Sequence, residues 1–348
     1  MRVLHWAQPT SVGSREVLMK RALWLSLIAF AVIGCNSGGT TAQAPESGGD
    51  AAPKTEAGKK LVVGFSQIGA ESDWRTANTE SIRSEAEKRG IDLKFADAQQ
   101  KAENQIKAIK SFIAQDVDVI AFAPVVETGW EPVLKEAKEA GIPVIVSDRR
   151  PDVPEDLYVT FIGADFIKEG EMAAEWLAKK LDGKGKIAEL TGTTGSAPAN
   201  DRAKGFRNIL ASHPEMEIVF TQTGDFTRAK GKEVMEALLK SPQGKEIKAV
   251  YAHNDDMALG AIQAMEEAGI KPGKDIIIVS IDGVKAAFEA MVAGKLNCTV
   301  ECNPLLGPYL FDAIEKVAKG EEVPKRVVIE DKWYDESTAA AELPNRKY

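Results

Sequence analysis

The stretch Val250-Tyr-Ala-His-Asn-Asp-Asp-Met-Ala-Leu-Gly260 joins a short apolar run, Ile247 to Ala252, to an amphipathic segment, Met257 to Ala268, through a polar turn. A short continuous apolar run suits a strand buried on both faces, and the segment after it repeats apolar residues at helical spacing. Asp255 or Asp256 is suited to cap that helix, because a carboxylate there accepts orphan amide protons of the first turn. The Asn254 side chain would then be left free at the carboxyl end of a strand, where open α/β sheets place their ligand contacts. A plainer reading stands beside it, in which all three polar residues only cap and turn.

Outward from this unit the same grammar repeats. Apolar runs at Leu61 to Phe65, Ile91 to Phe95, Val119 to Ala123, Pro143 to Ser147 and Tyr158 to Ile162 alternate with helical segments at Trp74 to Arg89, Lys101 to Gln115 and Trp130 to Ala140. A second cycle places runs at Ile187 to Leu190, Glu217 to Thr221, Lys248 to Tyr251 and Ile276 to Ser280. Its helices are expected at Phe166 to Leu181, Arg202 to Ala211, Thr227 to Leu239 and Met257 to Ala268. A last helix, Pro304 to Lys319, precedes a late extended run, Arg326 to Ile329. Gly90, Gly141 and Gly269 each follow a helical segment where a left-handed cap is needed. Strands alternating with helices in this way predict an α/β chain of two doubly wound parallel-sheet lobes, with five or so strands each.

The length of 348 residues exceeds the usual single domain and fits two lobes. A hydrophobic content of 44% and a charged content of 28% are those of a chain with a packed core. The formal charge of −8 makes nucleic acid a poor partner, since that affinity rests on Lys and Arg neutralising phosphates. A small neutral ligand fits better.

Residues 1–60 read as processing and tether. From Met19 the chain runs Met-Lys-Arg, then the apolar Ala22 to Ile33, then Gly34-Cys35, which is a basic region and an apolar region of the length of a secretory signal. Residues 1–18 sit awkwardly ahead of that signal, and Met19 is an alternative translation start. The ending Val-Ile-Gly-Cys resembles a bacterial lipoprotein signal, which implies lipidation of Cys35 and a membrane anchor. Residues 36–60 are small, polar and rich in Gly, Ser and Pro, as a flexible tether is. Cys298 and Cys302 remain; four apart in a strand they lie about 13 Å from one another, too far for a disulfide. They are expected to be separate thiols.

Polar groups gather where strands are expected to end. The first lobe offers Ser66 to Arg75, with Glu71 and Trp74 inside it, then Ser147 to Arg150. The second offers Gly192 to Gly195 with Asn200 to Arg202, then Gly224 to Arg228 around Phe226, Asn254, and Ser280 to Gly283 around Asp282. Aromatic faces with Asp, Asn and Arg are what a sugar needs, since its C–H faces stack on rings and each hydroxyl wants a donor and an acceptor. Each residue also has a bland reading: Trp74 and Phe226 as core, Arg202 as a solvated helix residue, Asp148 and Arg149 as partners only of each other.

The chain resembles the periplasmic sugar-binding proteins of ABC importers, of the ribose and galactose type, from Leu61 to about Ile329. The matching stretches are Val63 to Arg75, Glu103 to Ala108, Ala123 to Ala137, Gly224 to Gly231, Val250 to Gly260 and Ser280 to Gly283. Within that family it is most similar to the galactofuranose-binding members. The resemblance implies the two-lobed fold of type I periplasmic binding proteins with a three-crossing hinge near Gly163, Cys302 and residues 328–331. The lobes would be 61–163 plus 303–328, and 164–302 plus 329–348. It further implies that Trp74 and Phe226 stack on a monosaccharide, that Arg75, Asp148 and Arg149 hold its hydroxyls from the first lobe, and that Arg202, Asn254 and Asp282 do so from the second. Glu71 belongs to the shared segment. Ribose-type members carry an amide near Cys302 and another near Ala123, so ribose itself is disfavoured. An importer permease is the implied partner, and the protein is expected to act as a monomer without cofactor, metal or catalytic residues.

Rival classes are weaker. Gly64-Phe-Ser-Gln-Ile-Gly69 lacks the Gly-Lys-Ser/Thr ending of a P-loop and the third Gly of a dinucleotide fingerprint, and His213 and His253 stand in no triad or metal spacing, which disfavours an enzyme. A sugar sensor that presents its closed form to a membrane receptor stays open as the alternative.

Overall fold

Residues 60–348 are described by the structure, a computed structural model; the leader, Cys35 and the tether to residue 59 lie outside the described residues. In the first half β1 (Val62–Gln67), β2 (Asp92–Asp97), β3 (Val119–Phe122), β4 (Val144–Ser147) and β5 (Thr160–Gly163) alternate with α1 (Asp73–Lys88), α2 (Ala102–Ala114) and α3 (Glu131–Glu139). A second series follows: α4 (Phe166–Lys180), β6 (Lys184–Thr191), α5 (Ala197–Leu210), β7 (Glu215–Thr223), α6 (Arg228–Lys240), β8 (Ala249–Ala252), α7 (Asp255–Glu267), β9 (Ile277–Asp282), α8 (Lys285–Val292) and β10 (Cys298–Glu301). The chain ends with α9 (Gly307–Ala318), β11 (Arg326–Val328), β12 (Trp333–Asp335) and α10 (Ala339–Glu342).

Two six-stranded sheets result, in the orders β11-β5-β4-β3-β1-β2 and β12-β10-β9-β8-β6-β7. Every neighbour pair is parallel except β10 with β12. Apart from the late edge strands, the two sheets share one winding. Each reverses direction at the strand pair β1/β3 or β6/β8, and the carboxyl ends beside such a reversal form a crevice. The chain passes between the sheets after β5, after β10 and between β11 and β12.

Alternate residues of the buried strands face opposite layers, as a pleat requires. On β3, Val119 and Ala121 join a cluster with Ile82 of α1 and Phe311 of α9, while Ile120 and Phe122 join one with Phe112 of α2 and Trp130. Helix α9 therefore covers the first sheet although it follows the second in sequence. Its Gly307 lets it come close: a Cβ there would stand 2.2 Å from the Ser81 carbonyl of α1.

Four short elements, α8, β10, β12 and α10, carry no separate signal in the sequence, and β12 pairs only because the returning chain meets β10. Helix α5 starts five residues ahead of the expected Arg202, with Pro198 in its first turn, where a missing amide costs no hydrogen bond. Cys298 and Cys302 are free and buried, as their spacing predicts.

Candidate ligand-binding site between the lobes

All nine residues singled out in the sequence line one cavity between the lobes. With them stand Ser72, Phe166, Pro198 and Cys302, and the empty volume is about 290 Å³.

The first-lobe wall is built around Arg75. The hydroxyl of Ser72 caps α1 by accepting the Arg75 amide at 3.1 Å, which fixes where the arginine leaves the helix. Its Nε donates to Glu71 Oε1 at 2.9 Å, its Nη2 to Asp148 Oδ2 at 2.6 Å and its Nη1 to Gln67 Oε1 at 3.3 Å. Arg75 is thus largely committed to protein acceptors, and its main effect is to hold two carboxylates in place. Burial opposes ionisation of Glu71, but the charges of Arg75 and Arg149 overcome it and keep its pKa below the usual range. Burial and the Arg75 charge lower the Arg149 pKa to about 10, against the pull of Asp148 and Glu71, so it stays cationic at neutral pH. Arg149 Nη1 donates to the Val125 carbonyl at 3.2 Å. Its Nε and Glu71 Oε2 are buried without a hydrogen-bond partner, Nε having only Asp148 Oδ2 at 3.8 Å.

The second-lobe wall centres on Arg202 and Phe226. Arg202 is buried, not solvated: Nε donates to Glu169 Oε2 at 2.7 Å and Nη1 to the His253 carbonyl at 2.5 Å, while Nη2 stands 3.7 Å from Asp282 Oδ1. Burial raises the pKa of Asp282 well above the carboxylate range; Arg202 offsets part of that, and Asp255 and Asp256 add to it. The Phe226 ring lies against Gly192, where a Cβ would be 1.8 Å from the ring. From the opposite lobe the Arg149 guanidinium stands 5.1 Å from the centre of the Phe226 ring. Trp74 carries the Arg75 guanidinium at 4.6 Å and donates its indole N–H to the Cys302 carbonyl at 2.5 Å.

Asn254 requires a correction. It is not free: it is itself the cap of α7, accepting the Met257 amide on Oδ1 at 3.0 Å and donating from Nδ2 to the Phe226 carbonyl at 3.1 Å. The expected caps have other work. Asp255 is drawn inward by the Thr299 hydroxyl at 2.7 Å and the amides of Gly283 at 2.7 Å and Val284 at 2.9 Å; Asp256 reaches across to α1. Asn254 thereby fixes the loop that carries Phe226.

Asp148, Phe226 and Asp282 have φ of 64°, 60° and 136°. Such conformations cost of order 1–3 kcal/mol each and persist only where the surroundings impose them. Asp148 pairs chiefly with Arg75, and its contact with Arg149 is long at 3.8 Å. Ser72, Phe166, Pro198 and Cys302 were missed as wall residues. Ser72 lay inside the Val63 to Arg75 stretch already quoted, and Phe166 opens the helix after the first crossing; neither carries a chemical signal of its own.

Two aromatic rings in the wall, donor and acceptor atoms without hydrogen-bond partners and nearly balanced charge suit a small, neutral, hydroxyl-rich ligand. A family model described as a periplasmic binding protein domain matches residues 63–322. The galactofuranose-binding protein YtfQ of Escherichia coli K12 is 53% identical over 291 residues, covering 82% of this chain and 92% of that protein. The arabinose ABC transporter binding protein of Shewanella sp. ANA-3, solved with L-arabinofuranose, is 55% identical with a TM-score of 0.80, covering 82% of this chain and 96% of that one. A Mycobacterium smegmatis protein solved with β-D-fucofuranose is 56% identical with a TM-score of 0.81, covering 83% and 95%. Two parallel-sheet lobes around a polar cavity, and this agreement along nearly the whole described chain, show that the protein belongs to the periplasmic binding protein family.

Proposed function

We propose that the protein captures a monosaccharide in its furanose form between the lobes and delivers it to an ABC importer outside the cytoplasm. The observation that carries this is the cavity itself, whose walls come from both lobes and hold the unpartnered Glu71 Oε2 and Arg149 Nε. A buried polar atom without a partner costs about 1–3 kcal/mol, which a sugar hydroxyl would relieve. The three relatives named above are a galactofuranose-binding protein and two proteins solved with furanoses, which supports the ring form. Trp74 and Phe226 stack on the ring; Glu71, Asp148, Arg149, Arg202 and Asp282 meet hydroxyls; Arg75 and Asn254 hold these groups in place. The lobes, 61–163 with 303–328 and 164–302 with 329–348, close on the sugar as a monomer, and Cys35 carries the lipid that anchors the tether.

Calorimetry of the purified protein against a panel of furanose-forming and pyranose-locked sugars tests the reading. One sugar per chain, with furanose-locked glycosides competing and pyranose-locked ones not, is the expected result. No binding by any monosaccharide overturns the function. For the anchor, Cys35→Ala should move the protein from the membrane to the soluble fraction.

A further inference from the structure

Glu169 does not line the cavity, yet it is the carboxylate on which the cavity's Arg202 rests. It lies on α4 with 0% of its surface exposed, and Arg202 lies on α5. The two helices approach so closely that neither tolerates a side chain at its contact glycine. A Cβ at Gly170 would stand 2.3 Å from the Arg202 carbonyl, and one at Gly205 would stand 2.0 Å from the Ile167 carbonyl. This approach puts Glu169 Oε2 2.7 Å from Arg202 Nε.

We propose that Glu169 is a positioning residue for the ligand site, acting through Arg202; the inference rests on reading the cavity as a sugar site. The guanidinium is planar, so fixing two of its nitrogens fixes the third. Glu169 takes Nε and the His253 carbonyl takes Nη1, and that carbonyl is itself set by the strand bond from the His253 amide to Leu190 at 2.9 Å. Nη2 is left beside Asp282, across the cavity wall. Glu169 Oε1 accepts no N–H or O–H bond; the Cys302 thiol and the Asp331 carboxyl are its other polar neighbours, and Arg202 is its strongest partner. Removing it leaves Nε bare in a water-poor wall, with a long side chain free to change rotamer. A carboxylate that merely clamped α4 to α5 would not need to meet an arginine that lines the cavity.

The test is a double-mutant cycle in the full-length protein with L-arabinose as probe. Glu169→Ala should weaken binding by about 10- to 100-fold. In an Arg202→Ala background the same change should cost less than about twofold, because the residue it acts through is gone. Glu169→Gln, which keeps an acceptor for Nε, should recover most of the affinity. Equal losses in both backgrounds overturn the proposal. Where Glu169→Ala fails to fold, Glu169→Met, which keeps the side-chain volume but offers no carboxylate to Nε, carries the cycle with the same criterion. A readout without sugar separates this from the function: the Arg202 Nε–H proton resonance should be downfield and slow to exchange in wild type and shift upfield in either variant. An unmoved resonance overturns the positioning role whatever the protein binds, whereas absence of arabinose binding with a shifted resonance speaks only against the sugar reading.

Discussion

The Asp256 carboxylate on α7 accepts the backbone amide of Asp73, the first residue of α1, at 2.8 Å, and so ties helix starts in opposite lobes directly together. Arg228 Nη2 seals the tie, 2.9 Å from Asp73 Oδ2 and 2.9 Å from Asp256 Oδ1. A second tie runs from the Glu127 amide to the Gly195 carbonyl at 2.9 Å, with Asn200 Nδ2 on Glu127 Oε2 at 2.5 Å. None of these residues lines the cavity. The closed arrangement is thus held partly by the protein alone, and a ligand that touches both walls selects it further.

Arg228→Ala should therefore weaken sugar binding without touching sugar. The pair is partly exposed and is worth about 0.2–1 kcal/mol, up to roughly fivefold in Kd. The loss should fall on the dissociation rate, since the tie forms after encounter. Stopped-flow fluorescence checks it; a slowed association with unchanged dissociation would contradict the tie.

Within the cavity, Arg149→Ala and Asp282→Ala should each cost about 2–3 kcal/mol, roughly 30- to 150-fold in affinity, because each leaves buried neighbours unpaired. Lys179→Ala, on an exposed face of α4, should leave binding unchanged. Calorimetry at equal protein stability reads both, and wild-type affinity in the two cavity variants would remove the site.

Gly192→Ala should weaken binding as much as Phe226→Ala, although it adds a single methyl group. Its Cβ would coincide with the Phe226 ring, which must then leave its place over the cavity. Affinity and near-ultraviolet dichroism follow the ring; unchanged values for both would show that Phe226 has room to yield.

Acid should unfold the second lobe in a way that Glu189→Gln alters. Burial raises the Glu189 pKa, but hydrogen bonds from His253 and Arg207, and their charge, bring it down from 4.5 to about 2. Because the folded value lies below the unfolded one, this stability is complete above pH 4.5 and is lost as pH falls toward 2. Urea titrations should show Glu189→Gln less stable than wild type by on the order of 3 kcal/mol at neutral pH, with the gap closing in that acid window. A gap that does not change with pH would assign the effect to packing.

The order of strands and helices was legible in the sequence because each unit carries its own signals. Val119 to Ala123 is apolar throughout because both faces of β3 are covered, and Gly90, Gly141 and Gly269 take φ of 69°, 74° and 75° at the helix ends that need them. These are local consequences of backbone geometry and burial, and they follow from neighbours in the chain. The gathering of strand ends into one crevice followed from the winding those units impose, and the family resemblance picked the nine wall residues out of those ends.

What the side chains do there was decided by contacts between residues far apart in sequence. Asn254 became a cap because Asp255 found partners at Gly283, Val284 and Thr299, and Arg75 became a bracket because Asp148 lies 73 residues away with an oxygen facing it. Glu169 gave no signal at all, since only the close crossing at Gly170 and Gly205 brings it to Arg202. Sequence periodicity fixes which face of an element is buried; which polar atoms are then satisfied by protein, and which are left for a ligand, depends on distances that exist only once the helices have packed.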